Sequence, residues 1–98
     1  SILEDRIFLS WDIKHGYYLY KKSILIKSGD EVLEYNYLTK YESKIFDEFF
    51  GDSSILKGIL KVEAELLNVN LSVPQDLSVT YQGCAEGKYC YPKIIKSL

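Results

Sequence analysis

Cys84 and Cys90 are the only cysteines among the 98 residues, and five residues separate them. A thiolate attacks disulfides and binds metals, so this pair is where the chain's reactive chemistry concentrates. The stretch around it reads Val79-Thr80-Tyr81-Gln82-Gly83-Cys84-Ala85-Glu86-Gly87-Lys88-Tyr89-Cys90-Tyr91-Pro92. Leu77, Val79 and Tyr81 alternate with Ser78, Thr80 and Gln82, a strand pattern. Gly83 and Gly87 punctuate it, and Tyr89-Cys90-Tyr91 resumes strand composition until Pro92 stops it. This predicts two strands joined by a tight connection, with one cysteine near the base of each arm. Such a pair reaches bonding distance when its Cβ vectors face each other.

A disulfide here would close a ring of seven residues. The chain-entropy account gives that ring about 2.4 kcal/mol, against about 4 kcal/mol for a ring of roughly fifty residues. It is therefore a weak staple, although small secreted domains do carry short-range disulfides. Structural and redox roles both stay open on these residues. The spacing is not Cys-x-x-Cys, and two cysteines supply too few ligands for a zinc site. Glycine and small residues between them leave room for a partner, which favours exchange. His15 is the only histidine. No second ligand candidate stands beside it, so it reads as a solvated turn residue rather than a metal ligand or general base.

Positioning this pair requires a scaffold, and the remaining chain reads as β. Ile7, Leu9, Trp11 and Ile13 alternate with polar or exposed positions, with Trp11 expected in the core. Lys14-His15-Gly16 is the turn, and Tyr17 to Ile26 the return strand, Lys21-Lys22-Ser23 exposed and Ile24 and Ile26 inward. Tyr18 and Tyr20 share one face of it. Ser28-Gly29-Asp30-Glu31 is a turn, Val32 to Leu38 a short strand, and Thr39 to Lys44 a polar connection. Ile45 to Ser54 does not fit a strand: Asp47 and Glu48 precede the adjacent Phe49 and Phe50, which cannot both enter one core pocket. Ile55 to Leu71 satisfies helix and strand patterns equally, and the β character elsewhere favours strand. Strands at this spacing predict one antiparallel β-sandwich domain spanning 1–98.

Composition sets the bounds. Hydrophobic residues make up 47% and charged residues 27%, a globular balance. Nine tyrosines and four phenylalanines favour strands. A net charge of -2 argues against a nucleic-acid surface. No apolar run approaches a membrane helix. Ser1-Ile2-Leu3-Glu4-Asp5 is not a signal peptide, so any targeting segment is expected to have been removed or to lie outside this chain.

Val79 to Cys84 with Cys90-Tyr91-Pro92 resembles the active-site hairpin of the N-terminal (alpha) domain of the thiol:disulfide interchange protein DsbD. Trp11 to Lys22 resembles that family's first hairpin, and Asp47-Glu48-Phe49-Phe50-Gly51 its cap loop. Three matches in order cover most of the chain. The resemblance implies an immunoglobulin-like β-sandwich with a cap loop over the active-site hairpin, in the bacterial periplasm, as a soluble part of an inner-membrane protein. It implies a reversible Cys84–Cys90 disulfide and no cofactor or metal. Electrons would come from the thioredoxin-like C-terminal domain of the same protein. They would pass to periplasmic disulfide isomerases such as DsbC and DsbG and to the cytochrome c maturation thioredoxin CcmG. Motif position makes Cys90 the sulfur that partners meet and Cys84 the resolving one. Phe49 would shield the disulfide, and Tyr18 and Tyr20 would flank it. Asp47, Glu48 and Glu86 are expected near the cysteines, where carboxylates disfavour a thiolate. The chain departs from the family at Lys93, where a second proline is common, and at Phe50, where a tyrosine is frequent. A first strand and part of a last one are also expected to be missing. The competing class is an immunoglobulin-like binding or adhesion domain with an inert disulfide.

Overall fold

Alternating apolar residues become strands here because each strand buries one face against a second layer. The computed structural model describes residues 2–3, 6–47, 51–65 and 76–98. These form β1 (Ile2–Leu3), β2 (Arg6–Ile13), β3 (Tyr17–Tyr20), β4 (Leu25–Ser28), β5 (Glu31–Leu33), β6 (Tyr35–Asp47), β7 (Gly51–Glu65), β8 (Leu77–Tyr81), β9 (Gly83–Ala85), β10 (Tyr89–Cys90) and β11 (Ile94–Ser97). All pairings are antiparallel. The larger sheet runs β1-β2-β7-β3-β9-β10 with β6 also on β7, and the smaller runs β11-β8-β4-β5.

The long strand β7 organises the larger sheet. β6 lies along one side, while β2 takes Gly58–Glu65 on the other side and β3 takes Ile55 and Leu56. β3 then carries β9, so the cysteine hairpin hangs from the same frame. The two sheets close over Ile7, Leu56, Leu60 and Val62 from one and Ile26, Leu33, Leu77 and Val79 from the other. Each such side chain stabilises the fold by about 1.5–3 kcal/mol when fully buried. The architecture is an all-β, immunoglobulin-like antiparallel β-sandwich.

Several expectations need correction. Tyr17 to Ile26 is not one strand: a 3-10 turn at Lys21–Ser23 ends β3 and sends the chain to the other sheet as β4. The Ser23 hydroxyl caps the break by donating to the Tyr20 carbonyl at 2.6 Å. The strand placed over Val32 to Leu38 splits between β5 and β6, and Thr39 to Lys44 continues β6 rather than forming a connection. Polar residues persist there because that strand faces solvent, where Lys21 and Lys40 both pair with Glu42 at 2.9 and 2.8 Å. Ile45 to Asp47 and Gly51 to Ser54 are also strand, paired as a hairpin. Residues 48–50 lie outside the described residues. The strand reading of Ile55 to Leu71 holds through Glu65, and the rest lies outside the described residues. Trp11 sits at the rim of the core, edge-on to Tyr81 at 5.6 Å and only partly buried. His15 is exposed in the predicted turn, where Gly16 adopts φ 90°, a conformation that favours glycine.

Candidate active site: a disulfide across a hairpin neck

The cysteine hairpin is built differently from the sequence expectation. β8 belongs to the smaller sheet, and the chain crosses at Gln82 into the larger one, so the arms are β9 and β10. Cys84 and Cys90 stand directly opposite each other. They are bonded, with S–S 2.03 Å and Cα–Cα 3.9 Å.

Alternation on β3 explains the surroundings. Leu19 points into the sandwich core, which turns Tyr18 and Tyr20 to the outer face. There they join Ile55 and Cys84 in a second buried cluster, with Ile45 and Cys90 packed against it. Tyr18 pairs with Cys84, and Tyr20 pairs with Ile55. The two rings meet edge-on at 5.6 Å, a favourable aromatic geometry. The Tyr20 hydroxyl lies 3.3 Å from Cys90 Sγ. A disulfide sulfur carries no hydrogen, so the phenol donates. The sulfurs are unequal: Cys84 is 1% exposed, whereas Cys90 is partly exposed.

Close approach of β9 to β3 requires Gly83. A Cβ there would stand 2.8 Å from the Tyr18 carbonyl oxygen and 3.0 Å from Leu19 Cδ2. Past the cysteines, the Tyr91 N–H donates to Gly83 O at 2.9 Å, and Gln82 Nε2 donates to Tyr91 O at 3.1 Å. At the tip, the Glu86 N–H donates to Gly16 O at 2.7 Å, tying the hairpin to the first turn. Tyr89 and Tyr91 hydroxyls lie 3.0 Å apart. That hydrogen bond, with burial and the nearby Tyr17, pushes the Tyr91 phenol up to about 12.

Beside Cys90 opens a groove of about 440 Å³ whose lining includes Tyr18, Ile45, Phe46, Ile55 and Tyr89. Phe46 is 73% exposed on its rim. Glu86 borders the groove in an exposed 3.3 Å ion pair with Lys57, so Lys57 offsets its charge. Among the described residues, no three His, Cys, Asp or Glu side chains gather to hold a metal ion, and no helix is long and apolar enough to cross a membrane.

Of the residues singled out from sequence, Cys84, Cys90, Tyr18 and Tyr20 come together. Asp47 and Gly51 pair at the end of the β6–β7 hairpin. Glu48, Phe49 and Phe50 lie outside the described residues. Sequence reading missed Ile45, Ile55 and Gln82. Ile55 carried a signal, since it precedes Leu56 on a strand and so had to face away from the core that Leu56 enters.

The sequence model described as "Thiol:disulfide interchange protein DsbD, N-terminal" matches residues 2–97. The chain is 43% identical over 88 residues to the thiol:disulfide interchange protein DsbD of Pasteurella multocida, covering 90% of this chain and 15% of that protein. It is 40% identical over 90 residues to that of Cronobacter sakazakii, covering 91% and 15%. The chain thus spans about 15% of the length of these curated relatives. Among solved structures, the reduced DsbD N-terminal domain of Neisseria meningitidis superposes with TM-score 0.80 at 28% identity, over 98% of this chain and 76% of that one. A complex between the DsbD and PilB N-terminal domains of the same organism gives 0.69 at 28%, over 96% and 73%. The chain belongs to the family of N-terminal domains of the thiol:disulfide interchange protein DsbD.

Proposed function

We propose that residues 1–98 form one periplasmic thiol:disulfide interchange domain, acting as a disulfide reductase module of a larger inner-membrane protein. It relays electrons from a thioredoxin-like C-terminal domain of that protein to periplasmic disulfide isomerases and cytochrome c maturation thioredoxins. The observation that carries the proposal is the asymmetry of the sulfurs: Cys84 is sealed at 1% exposure, while Cys90 borders an open groove lined by Ile45, Ile55 and Tyr89 together with Glu86 and Lys88. Exchange needs one sulfur within reach of a foreign thiolate, and a buried neighbour is then left to resolve the mixed disulfide from within.

In this reading the donor's thiolate attacks Cys90 Sγ, the S–S bond breaks, and Cys84 leaves as a thiolate that takes up a proton. The donor's second thiolate then attacks its own sulfur in the mixed disulfide, leaving Cys84 and Cys90 as a dithiol. In the second half, Cys90 attacks the acceptor disulfide, and Cys84 displaces the acceptor by closing back on Cys90. The complex of the Neisseria meningitidis DsbD N-terminal domain with a PilB N-terminal domain supports a protein as the partner.

Asp47 to Gly51 act as the cap, with Phe49 shielding the disulfide from small thiols. Support comes from the cap-loop resemblance and from Ile45, which packs on the cysteine cluster from β6, the strand that ends at Asp47. Phe49→Ala should then speed reduction by dithiothreitol, and an unchanged rate would leave Phe49 without a shielding role.

Redox titration against glutathione tests the whole proposal. A relay disulfide equilibrates with the glutathione pool, whereas a bond with a potential below about −300 mV is a structural one. The second result would favour a binding domain with an inert disulfide.

A further inference from the structure

We infer that Gln82 is a positioning residue for exchange: its side-chain amide closes the neck of the cysteine hairpin and so raises the tendency of Cys84 and Cys90 to form their disulfide. This rests on the interchange function proposed above and assigns a residue outside the cysteines to its redox balance.

β9 and β10 pair at only two positions, Tyr89 with Ala85 and Cys90 with Cys84. On the side of the neck away from the tip, Tyr91 is the last residue able to donate a backbone hydrogen before Pro92, which has no N–H. Both backbone groups of Tyr91 are used there. Its N–H goes to Gly83 O at 2.9 Å, and its carbonyl accepts from Gln82 Nε2 at 3.1 Å.

Gln82 is itself fixed independently of the hairpin. Its N–H donates to Ser23 Oγ at 2.9 Å. Its carbonyl accepts from the Tyr20 N–H at 3.0 Å, and Ser23 Oγ, whose one proton goes to the Tyr20 carbonyl, lies 3.3 Å from it. The β3–β4 and β8–β9 crossovers between the sheets therefore meet at this residue, and its side chain reaches from that junction to the arm just past Cys90. Substituting the side chain leaves these backbone bonds in place.

The coupling follows from closure entropy. When the disulfide opens, the Gln82–Tyr91 hydrogen bond still holds the Cys90 arm beside Cys84, so the thiols keep a high effective concentration. Reciprocally, the disulfide pre-orders the arms and strengthens that hydrogen bond. Removing the donor lowers the oxidised-to-reduced equilibrium constant, with the net worth of one hydrogen bond as the ceiling.

The experiment equilibrates wild type, Gln82→Met and Gln82→Asn with dithiothreitol and its cyclic disulfide. Dithiothreitol supplies two electrons and two protons to the Cys84–Cys90 bond and closes on itself. Methionine keeps the side-chain length without a donor, and asparagine keeps the amide but is too short to reach Tyr91. Both should lower the equilibrium constant about two- to tenfold, a potential less negative by about 9–30 mV. The asparagine variant carries the test alone if the methionine variant does not fold when reduced. An unchanged equilibrium constant, with both redox forms losing the same thermal stability, overturns the inference and leaves Gln82 a structural residue. The ratio of variant to wild type is independent of the wild-type potential, so a wild-type bond that resists glutathione would overturn the interchange function without altering this readout.

Discussion

Gly83→Ala probes how the frame holds the reactive pair. The added methyl would stand 2.8 Å from the Tyr18 carbonyl oxygen, 0.6 Å short of the 3.4 Å at which ordinary contact begins (3.4 minus 2.8). The obstacle is backbone, so no rotamer change relieves it. β9 must move away from β3, stretching the ladder that joins Tyr17 to Ala85, Tyr18 to Cys84 and Leu19 to Gly83. Leu19 Cδ2 at 3.0 Å blocks escape toward the core. Overpacking of this kind costs about 1–3 kcal/mol, and a domain of this size loses about 4–8 °C of Tm per kcal/mol. Thermal unfolding followed by circular dichroism, with the disulfide intact, reads the effect. A Tm within about 2 °C of wild type would refute the reasoning, because it would mean that β3 and β9 do not approach at this register.

Tyr20→Phe removes the phenol that donates to Cys90 Sγ at 3.3 Å; kept in the dithiol, that donor would favour the thiolate, so the substitution should move alkylation of Cys90 in the reduced protein to higher pH. The pH profile of alkylation measures it, and superimposable profiles would remove Tyr20 from that role. Glu42 is held down to about 2 by hydrogen bonds from Lys40 and Lys21. A depressed carboxylate contributes stability that is present above its ordinary value near 4.5 and lost as pH falls toward 2. Glu42→Gln should therefore flatten the loss of Tm across that window, more visibly at low salt than at high; identical pH slopes would show the cluster to be without effect.

The sequence carried the strand periods and the pair itself, because Ile7 to Ile13 and Leu77 to Tyr81 alternate cleanly and two cysteines are few enough to pair. It did not carry the sheet changes. Lys21-Lys22-Ser23 read as an exposed stretch of Tyr17 to Ile26 and not as a break; the break exists because the chain must leave Ile55 and reach β8 in the other layer. β6 was hidden for a different reason. Thr39 to Lys44 is polar because it is exposed, and it stays extended through pairing with β7 and the lysine pairs on Glu42. Tyr18 and Tyr20 were legible as a face of aromatic residues, but their closure around the disulfide by Ile45 and Ile55 depends on register between strands far apart in the chain. The Gln82 clamp likewise depends on where two crossovers meet.

The central claim is that exchange runs through Cys90 with Cys84 held in reserve. The most direct measurement compares Cys84→Ala and Cys90→Ala in trapping a thioredoxin-like partner whose thiol is activated as a mixed disulfide. The account predicts rapid trapping by the variant that keeps Cys90, and slow trapping by the one that keeps Cys84, whose sulfur lies under Tyr18, Tyr20 and Ile55. Equal or faster trapping through Cys84 would contradict it.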